Sequence, residues 1–167
     1  KTIIPENKDL IKEAFVVGNK LIVNYLKDVA SHIYQYDFSG KMENELQLPG
    51  PGTATIEAPN ENDKFLFYTF TSFTYPPSVF RYEIANAKSS LQYKSEAKFN
   101  TDDYETKQVF YPSKDGTQIP MFITYKKGIK LDGTNPTLLF AYGGFNISKF
   151  PEFEATHLVL LENGGIY

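Results

Sequence analysis

Lys20 to Leu26 reads KLIVNYL, and Lys64 to Phe70, starting 44 positions later, reads KFLFYTF. A second pair follows the first at nearly the same distance. IYQYDFSGK at Ile33–Lys41 is echoed by VFRYEIANAK at Val79–Lys88, now offset by 46, the extra two residues falling around TYPPS. In each unit apolar and polar residues alternate, as in a strand with one face buried, and an acidic residue or Asn leads into the closing turn. A repeat of this length is that of a four-stranded propeller blade, which cannot bury both faces alone and stacks on its neighbours. The same pattern also fits an antiparallel meander or sandwich, with turn signals every few residues. The period favours the propeller.

Outward from the repeat, QLPGPGTATIEAPNEND at 47–63 reads as a loop or strand linker between the two units, since its Pro and Gly exclude a central strand over much of its length. TYPP is taken as the turn of the second hairpin rather than a polyproline ligand. Near FNTDDY, 99–104, the repeat fails, and Asp102 and Asp103 are read as solvated residues at a domain crossing.

The 167 residues carry 16% aromatics, 12 Tyr and 14 Phe against 2 Met and no Trp, a balance that favours strands. A net charge of −3 argues against nucleic acid, which calls for a basic stripe. Apolar runs such as LVLL are far shorter than the roughly 18 residues that cross a bilayer, so no membrane partner is expected. Without cysteine there are no disulfides or thiolate sites, and the compartment stays open. His32 and His157 are too far apart in sequence to form a zinc motif, so neither a metal nor a cofactor is expected. The chain starts at Lys1 and ends at Tyr167 within what reads as a strand, and is taken as an interior segment of a longer protein.

The second part has a different grammar. ETKQVFYPSKDGTQIPMFITYKK at 105–127 reads as a third hairpin turning at SKDG. TLLFAY at 137–142 is a nearly continuous apolar run, the kind buried on both faces of a parallel sheet. Phe153, His157, Leu158 and Leu161 then mark one face of a helix that stops at Asn163 and Gly164, and IY begins another strand. Strand, helix, strand is the opening of a βαβ unit. The expected architecture is partial, all-β propeller blades over 1–102 followed by the first strands of an α/β domain over 103–167.

FYPSKDGTQIPMFITYKKGIKLDGTNPTLLFAYGGFNIS, Phe110 to Ser148, closely resembles the prolyl oligopeptidase family where it enters its α/β-hydrolase catalytic domain. LIVNYLKDVASHIYQYDFSG and FYTFTSFTYPP resemble late blades of that family's propeller, so the resemblance covers essentially the whole chain. It implies part of a two-domain serine endopeptidase that cuts short peptides on the carboxyl side of proline. The YGGFN form points to the proline-specific branch rather than the branch that cuts after basic residues.

An α/β-hydrolase needs Ser, acid and His in that chain order, with the Ser on a GxSxG elbow. No GxSxG occurs here, and His157 precedes any such nucleophile, so it reads as a packed helix residue and the chain alone is expected to be inactive. In the resembling family the Tyr of YGGFN donates its hydroxyl to the oxyanion, and Tyr142 is the residue that matches. A phenol with a pKa near 10 stays a neutral donor at pH 7, and its hydrogen bond strengthens as charge develops on the acceptor. Gly143 and Gly144 allow positive φ and close substrate approach. Phe145, by the resemblance, helps wall the apolar pockets around the substrate proline; its other reading is core packing. Glu152 and Glu154, beside Pro151, are read as surface residues favoured at a helix start. The partners implied are short proline-containing peptides and the other segments of the same protein. Two further readings stand beside this one: a non-catalytic propeller module that binds peptide, and a hydrolase of the same fold with another specificity.

Overall fold

The computed structural model describes residues 2–95 and 98–167. Its first half consists of two four-stranded antiparallel sheets, each running through its strands in sequence order. The first contains β1 (Leu10–Val17), β2 (Lys20–Lys27), β3 (Ala30–Tyr36) and β4 (Met42–Glu45). The second contains β5 (Thr53–Ile56), β6 (Phe65–Ser72), β7 (Tyr75–Glu83) and β8 (Lys88–Lys94). The repeated sequences are therefore β2–β3 and β6–β7, the central hairpins of two sheets with the strand order of propeller blades.

Alternation in the sequence becomes alternation in burial. Along β6 and β7 every second residue is buried, and Leu66, Tyr68, Phe70, Phe80, Tyr82 and Ile84 meet Val17, Ile22, Ile33 and Leu46 of the first sheet in one apolar cluster. The Tyr68 and Phe80 rings stack within it, centroids 5.2 Å apart.

The core lies between the blades, and their shared boundary is also closed by polar contacts. β5 is paired on one side by β6, which leaves its other edge of N–H and C=O groups facing the first sheet. Ser31 Oγ accepts from Ala54 N at 2.9 Å and Glu13 Oε2 accepts from Ile56 N at 3.2 Å. The Ala54 carbonyl in turn accepts from Asn24 Nδ2 at 3.0 Å and Lys12 Nζ at 3.1 Å. Side chains thus cover an edge that would otherwise be open for pairing. A second bridge runs from Tyr82 Oη to Gln35 Oε1 at 2.9 Å, and from Gln35 Nε2 to Glu43 Oε2 at 3.1 Å.

The linker expectation is sharpened here. TATI inside it is β5, the first strand of the second blade, and Gly52 just before it is obligatory, because a Cβ there would lie 2.4 Å from the Phe70 ring. The TYPP expectation is corrected. The turn is Phe73–Thr74, while Pro76 and Pro77 lie within the start of β7 beside a register shift between Phe70 and Ser72, where the ladder is interrupted and the missing N–H groups are tolerated.

After β8 the pattern changes, as expected. A 3₁₀ turn at Thr101–Asp103, capped by Asn100, leads to β9 (Tyr104–Pro112) and β10 (Gln118–Lys126), an antiparallel pair closed at Ser113–Thr117. The helix α1 (Ala155–Glu162) ends at Asn163 and Gly164, the latter at φ +78°, with Leu161 buried and Phe153 two residues ahead of the first turn. Ile166 pairs antiparallel with Tyr125 of β10 and parallel with Thr137. Thr137 and Ile166 are thus parallel neighbours with α1 between them.

TLLFAY does not form the buried strand expected of it. Pairing stops at Thr137 and Leu138, and Leu139 is 78% exposed. A continuous apolar run becomes a doubly buried strand only when strands and helices cover it. Here, among the described residues, Ile166 alone offers it an edge.

Candidate site at the Tyr-Gly-Gly-Phe turn

Beyond Leu138 residues 139–143 belong to neither helix nor strand, and a 3₁₀ turn follows at Gly144–Asn146 in which Ile147 N donates to the Gly144 carbonyl at 3.1 Å. The turn differs from the sequence expectation in one respect. Gly143 has φ −144° and Gly144 has no positive φ; the left-handed residue is Phe145, at φ 56° and ψ 27°. A left-handed non-Gly residue is uncommon and costs conformational energy.

The two glycines also differ in their surroundings. A Cβ on Gly143 would meet nothing, whereas one on Gly144 would lie 2.9 Å from Tyr142 Oη and 3.1 Å from Cζ. The Tyr142 ring therefore folds back over Gly144, and the missing side chain there sets where the hydroxyl rests.

Tyr142 is 47% exposed and lines a cleft of about 640 Å³. Phe73 of the β6–β7 turn and Met121 and Phe122 of β10 line it too, with Phe140, Gly143, Lys149 and His157. Phe145 is 92% exposed and, with Gly144, is not among the residues lining the cleft, so core packing is not its role. Glu152 and Glu154 are exposed, and Glu154 is the N-cap of α1, without a capping side-chain hydrogen bond, so it stands at the helix start as read from the sequence, while Glu152 lies two residues ahead of it.

His157 is half-buried, as a packed helix residue should be. Its ring stacks on Tyr167 with centroids 4.0 Å apart, and its buried Nδ1 has no partner. Burial, and secondarily the charge of Glu154, pushes the Tyr167 phenol up from its ordinary value. No serine or carboxylate is hydrogen-bonded to the His157 ring among the described residues. Among the described residues His157 therefore has no nucleophile or carboxylate paired with it.

The sequence reading passed over Lys149. Its Nζ lies 5.3 Å from the Phe140 ring centroid and 5.6 Å from that of Tyr142. The only sequence signal was a cation placed shortly after a Gly-Gly turn, which says nothing of where that turn would send it. Among the described residues no three His, Asp or Glu side chains gather as a metal site, and no helix is long and apolar enough to cross a membrane.

The turn and cleft are joined to the blades. Thr53 Oγ1 donates to the Pro151 carbonyl at 2.8 Å and Thr71 Oγ1 accepts from Phe153 N at 3.3 Å. Phe73 packs its ring against Phe122 and Tyr167, both at 5.6 Å between centroids.

A family model, the prolyl oligopeptidase N-terminal beta-propeller domain, matches residues 1–95, the stretch holding both four-stranded sheets. The chain belongs to the prolyl oligopeptidase family. Its two sheets are blades of that family's propeller. It is 47% identical over 150 residues to a prolyl endopeptidase of Elizabethkingia miricola, covering 90% of this chain and 21% of the relative. To a prolyl endopeptidase of Elizabethkingia meningoseptica it is 42% identical over 167 residues, all of this chain and 24% of the relative. A structure from a structural and mechanistic analysis of two prolyl endopeptidases superposes with a TM-score of 0.86 at 38% identity, over 99% of this chain and 24% of that one. Prolyl oligopeptidase B from Galerina marginata, bound to a 35mer hydrolysis and macrocyclization substrate, gives 0.85 at 31% identity, again over 99% and 24%. The chain thus spans about a fifth to a quarter of the length of the curated relatives it matches.

Proposed function

We propose that these residues belong to a serine endopeptidase that hydrolyses short peptides on the carboxyl side of proline, with Tyr142 as one donor of its oxyanion hole. The observation that carries this reading is the 42% identity to a prolyl endopeptidase across all 167 residues, which takes in the Tyr142 turn as well as the blades. On this reading residues 1–102 complete a propeller and 103–167 open an α/β-hydrolase domain; the parallel pairing of Thr137 with Ile166 across α1 supports the second half.

The chemistry assigned to this chain is limited to one donor. When a serine oxygen supplied by a further segment adds to the scissile carbonyl, negative charge collects on the carbonyl oxygen, and the Tyr142 hydroxyl donates to it. A neutral phenol gains more from an anionic acceptor than from a carbonyl, so it stabilises the transition state more than bound substrate. Gly144 keeps a side chain away from the hydroxyl, and Gly143 leaves the space ahead of the turn open. Phe145, left-handed and exposed, is free to form part of the wall around the substrate proline.

The test is steady-state kinetics of the full-length protein on a chromogenic peptide with proline before the scissile bond, beside one with a basic residue there. Preference for proline, lost in kcat on Tyr142→Phe, is the expected result. Preference for the basic peptide would reject the specificity, and full kcat in Tyr142→Phe would reject the oxyanion role.

A further inference from the structure

We infer that Lys149 is a positioning residue for Tyr142: its ammonium, within cation–π reach of both the Phe140 and the Tyr142 rings, holds the phenol ring in place and puts positive charge on its side of the cleft. The inference rests on the oxyanion reading of Tyr142 given above.

Backbone geometry brings the three together. Phe140 and Tyr142, two residues apart just before the turn, both hold their rings near the same ammonium. The 3₁₀ turn, with Phe145 left-handed and Ile147 N bonded to the Gly144 carbonyl, lies between those two residues and Lys149. Both Nζ-to-centroid distances, 5.3 and 5.6 Å, fall within the reach of about 6 Å over which a ring face attracts a cation. All three residues line the same cleft.

Among the described residues no carboxylate forms an ion pair with Lys149, although Glu152 and Glu154 line the cleft as well. Its charge is therefore not cancelled at the turn. A positive charge behind a phenol makes the O–H a stronger donor and attracts an anion forming in front of it. The effect grows as water leaves the site, because the local dielectric falls. Phe140 gives the ammonium a second ring face, so the Tyr142 ring loses freedom to rotate off Gly144.

The experiment is a double-mutant cycle in the full-length protein with the proline chromogenic peptide: Lys149→Met, Lys149→Arg, Tyr142→Phe and the double variant Lys149→Met with Tyr142→Phe. Lys149→Met is expected to lower kcat about tenfold with little change in KM, less than the loss of the donor itself. Arginine keeps the charge and stacks on aromatic faces, so Lys149→Arg should recover most of the rate. In the Tyr142→Phe background Lys149→Met should cost less than about twofold, since the hydroxyl it serves is gone. An unchanged kcat in Lys149→Met, or an equal loss in both backgrounds, overturns the inference while leaving the oxyanion role of Tyr142 intact. Full kcat in Tyr142→Phe alone removes both. Lys149 is exposed, so the methionine variant is expected to fold, and its thermal transition checks this.

Discussion

The blades and the segment from Lys127 to Glu154 treat apolar residues in opposite ways. In β6 and β7 the aromatic and aliphatic side chains that point inward are almost wholly buried, Tyr68 and Tyr82 completely. In TLLFAY, which is at least as apolar, Leu138, Leu139 and Phe140 face solvent. The difference lies in their partners rather than their composition. The central strands β2, β3, β6 and β7 have neighbours on both sides, β5 has side chains covering its free edge, and the two sheets bury their apolar residues in one cluster. Among the described residues Thr137 and Leu138 pair with Ile166, and the rest of their run has no strand partner. Apolar character is a demand for cover; strands and sheets contributed elsewhere in the sequence decide whether it is met.

Substitutions can break or sharpen this contrast. The largest effect is expected from Tyr68→Ala, which empties the centre of the inter-blade core and should cost about 3 to 5 kcal/mol by denaturant unfolding of the full-length protein. A loss below 1 kcal/mol would show that the blades do not share one core. Next comes Tyr142→Phe, which should raise the activation barrier by about 2.7 to 4 kcal/mol in kcat while leaving unfolding unchanged, because the hydroxyl is on the exposed side of the contrast. An equal loss of stability would mean that the turn is structural.

Glu13→Ala should cost about 1 to 3 kcal/mol, since Ile56 N–H and the Asn24 amide lose their acceptor at a part-buried boundary. Replacing Leu139, which is exposed, by Ser should stay within about 0.5 kcal/mol in the full-length protein. A cost comparable to that of Tyr68→Ala would show that other segments cover it there.

Alkaline titration tests the blades in another way. Burial pushes the Tyr36 and Tyr82 phenols up to about 12 from an ordinary value of 10.0. A raised folded-state pKa favours the protonated, folded form. Their contribution is complete below about pH 10 and is lost as the pH rises through 12. Stability should therefore fall across that window, and Tyr82→Phe should flatten the fall when unfolding is followed against pH.

Much of this was legible in the sequence because it depends on local period. The β2–β3 and β6–β7 repeat, the SKDG hairpin and the Asn163–Gly164 helix stop all express side-chain spacing or backbone preference within a few residues. β4, MENE, gave no such signal, since a polar outer strand has no apolar alternation to read. Pro76 and Pro77 read as a turn because proline usually marks one, yet a register shift in the ladder let them enter a strand. At the candidate site Tyr142 was legible through its motif. Lys149 was not, because its place depends on the path of the turn, and the left-handed residue of that turn is Phe145 rather than either glycine.

By itself the sequence determined that this protein is built of repeated antiparallel hairpins followed by a hairpin and a helix, and that a Tyr-Gly-Gly-Phe turn follows an apolar run. Periodicity and turn chemistry are local, and no distant contact is needed to express them. Only the tertiary structure decided that Glu13, Asn24 and Ser31 close the edge of β5, that TLLFAY stays largely unpaired, and that Lys149 lies over Phe140 and Tyr142. Those outcomes depend on which groups from distant parts of the chain arrive at the same place, and on whether an edge or a charge finds its complement there.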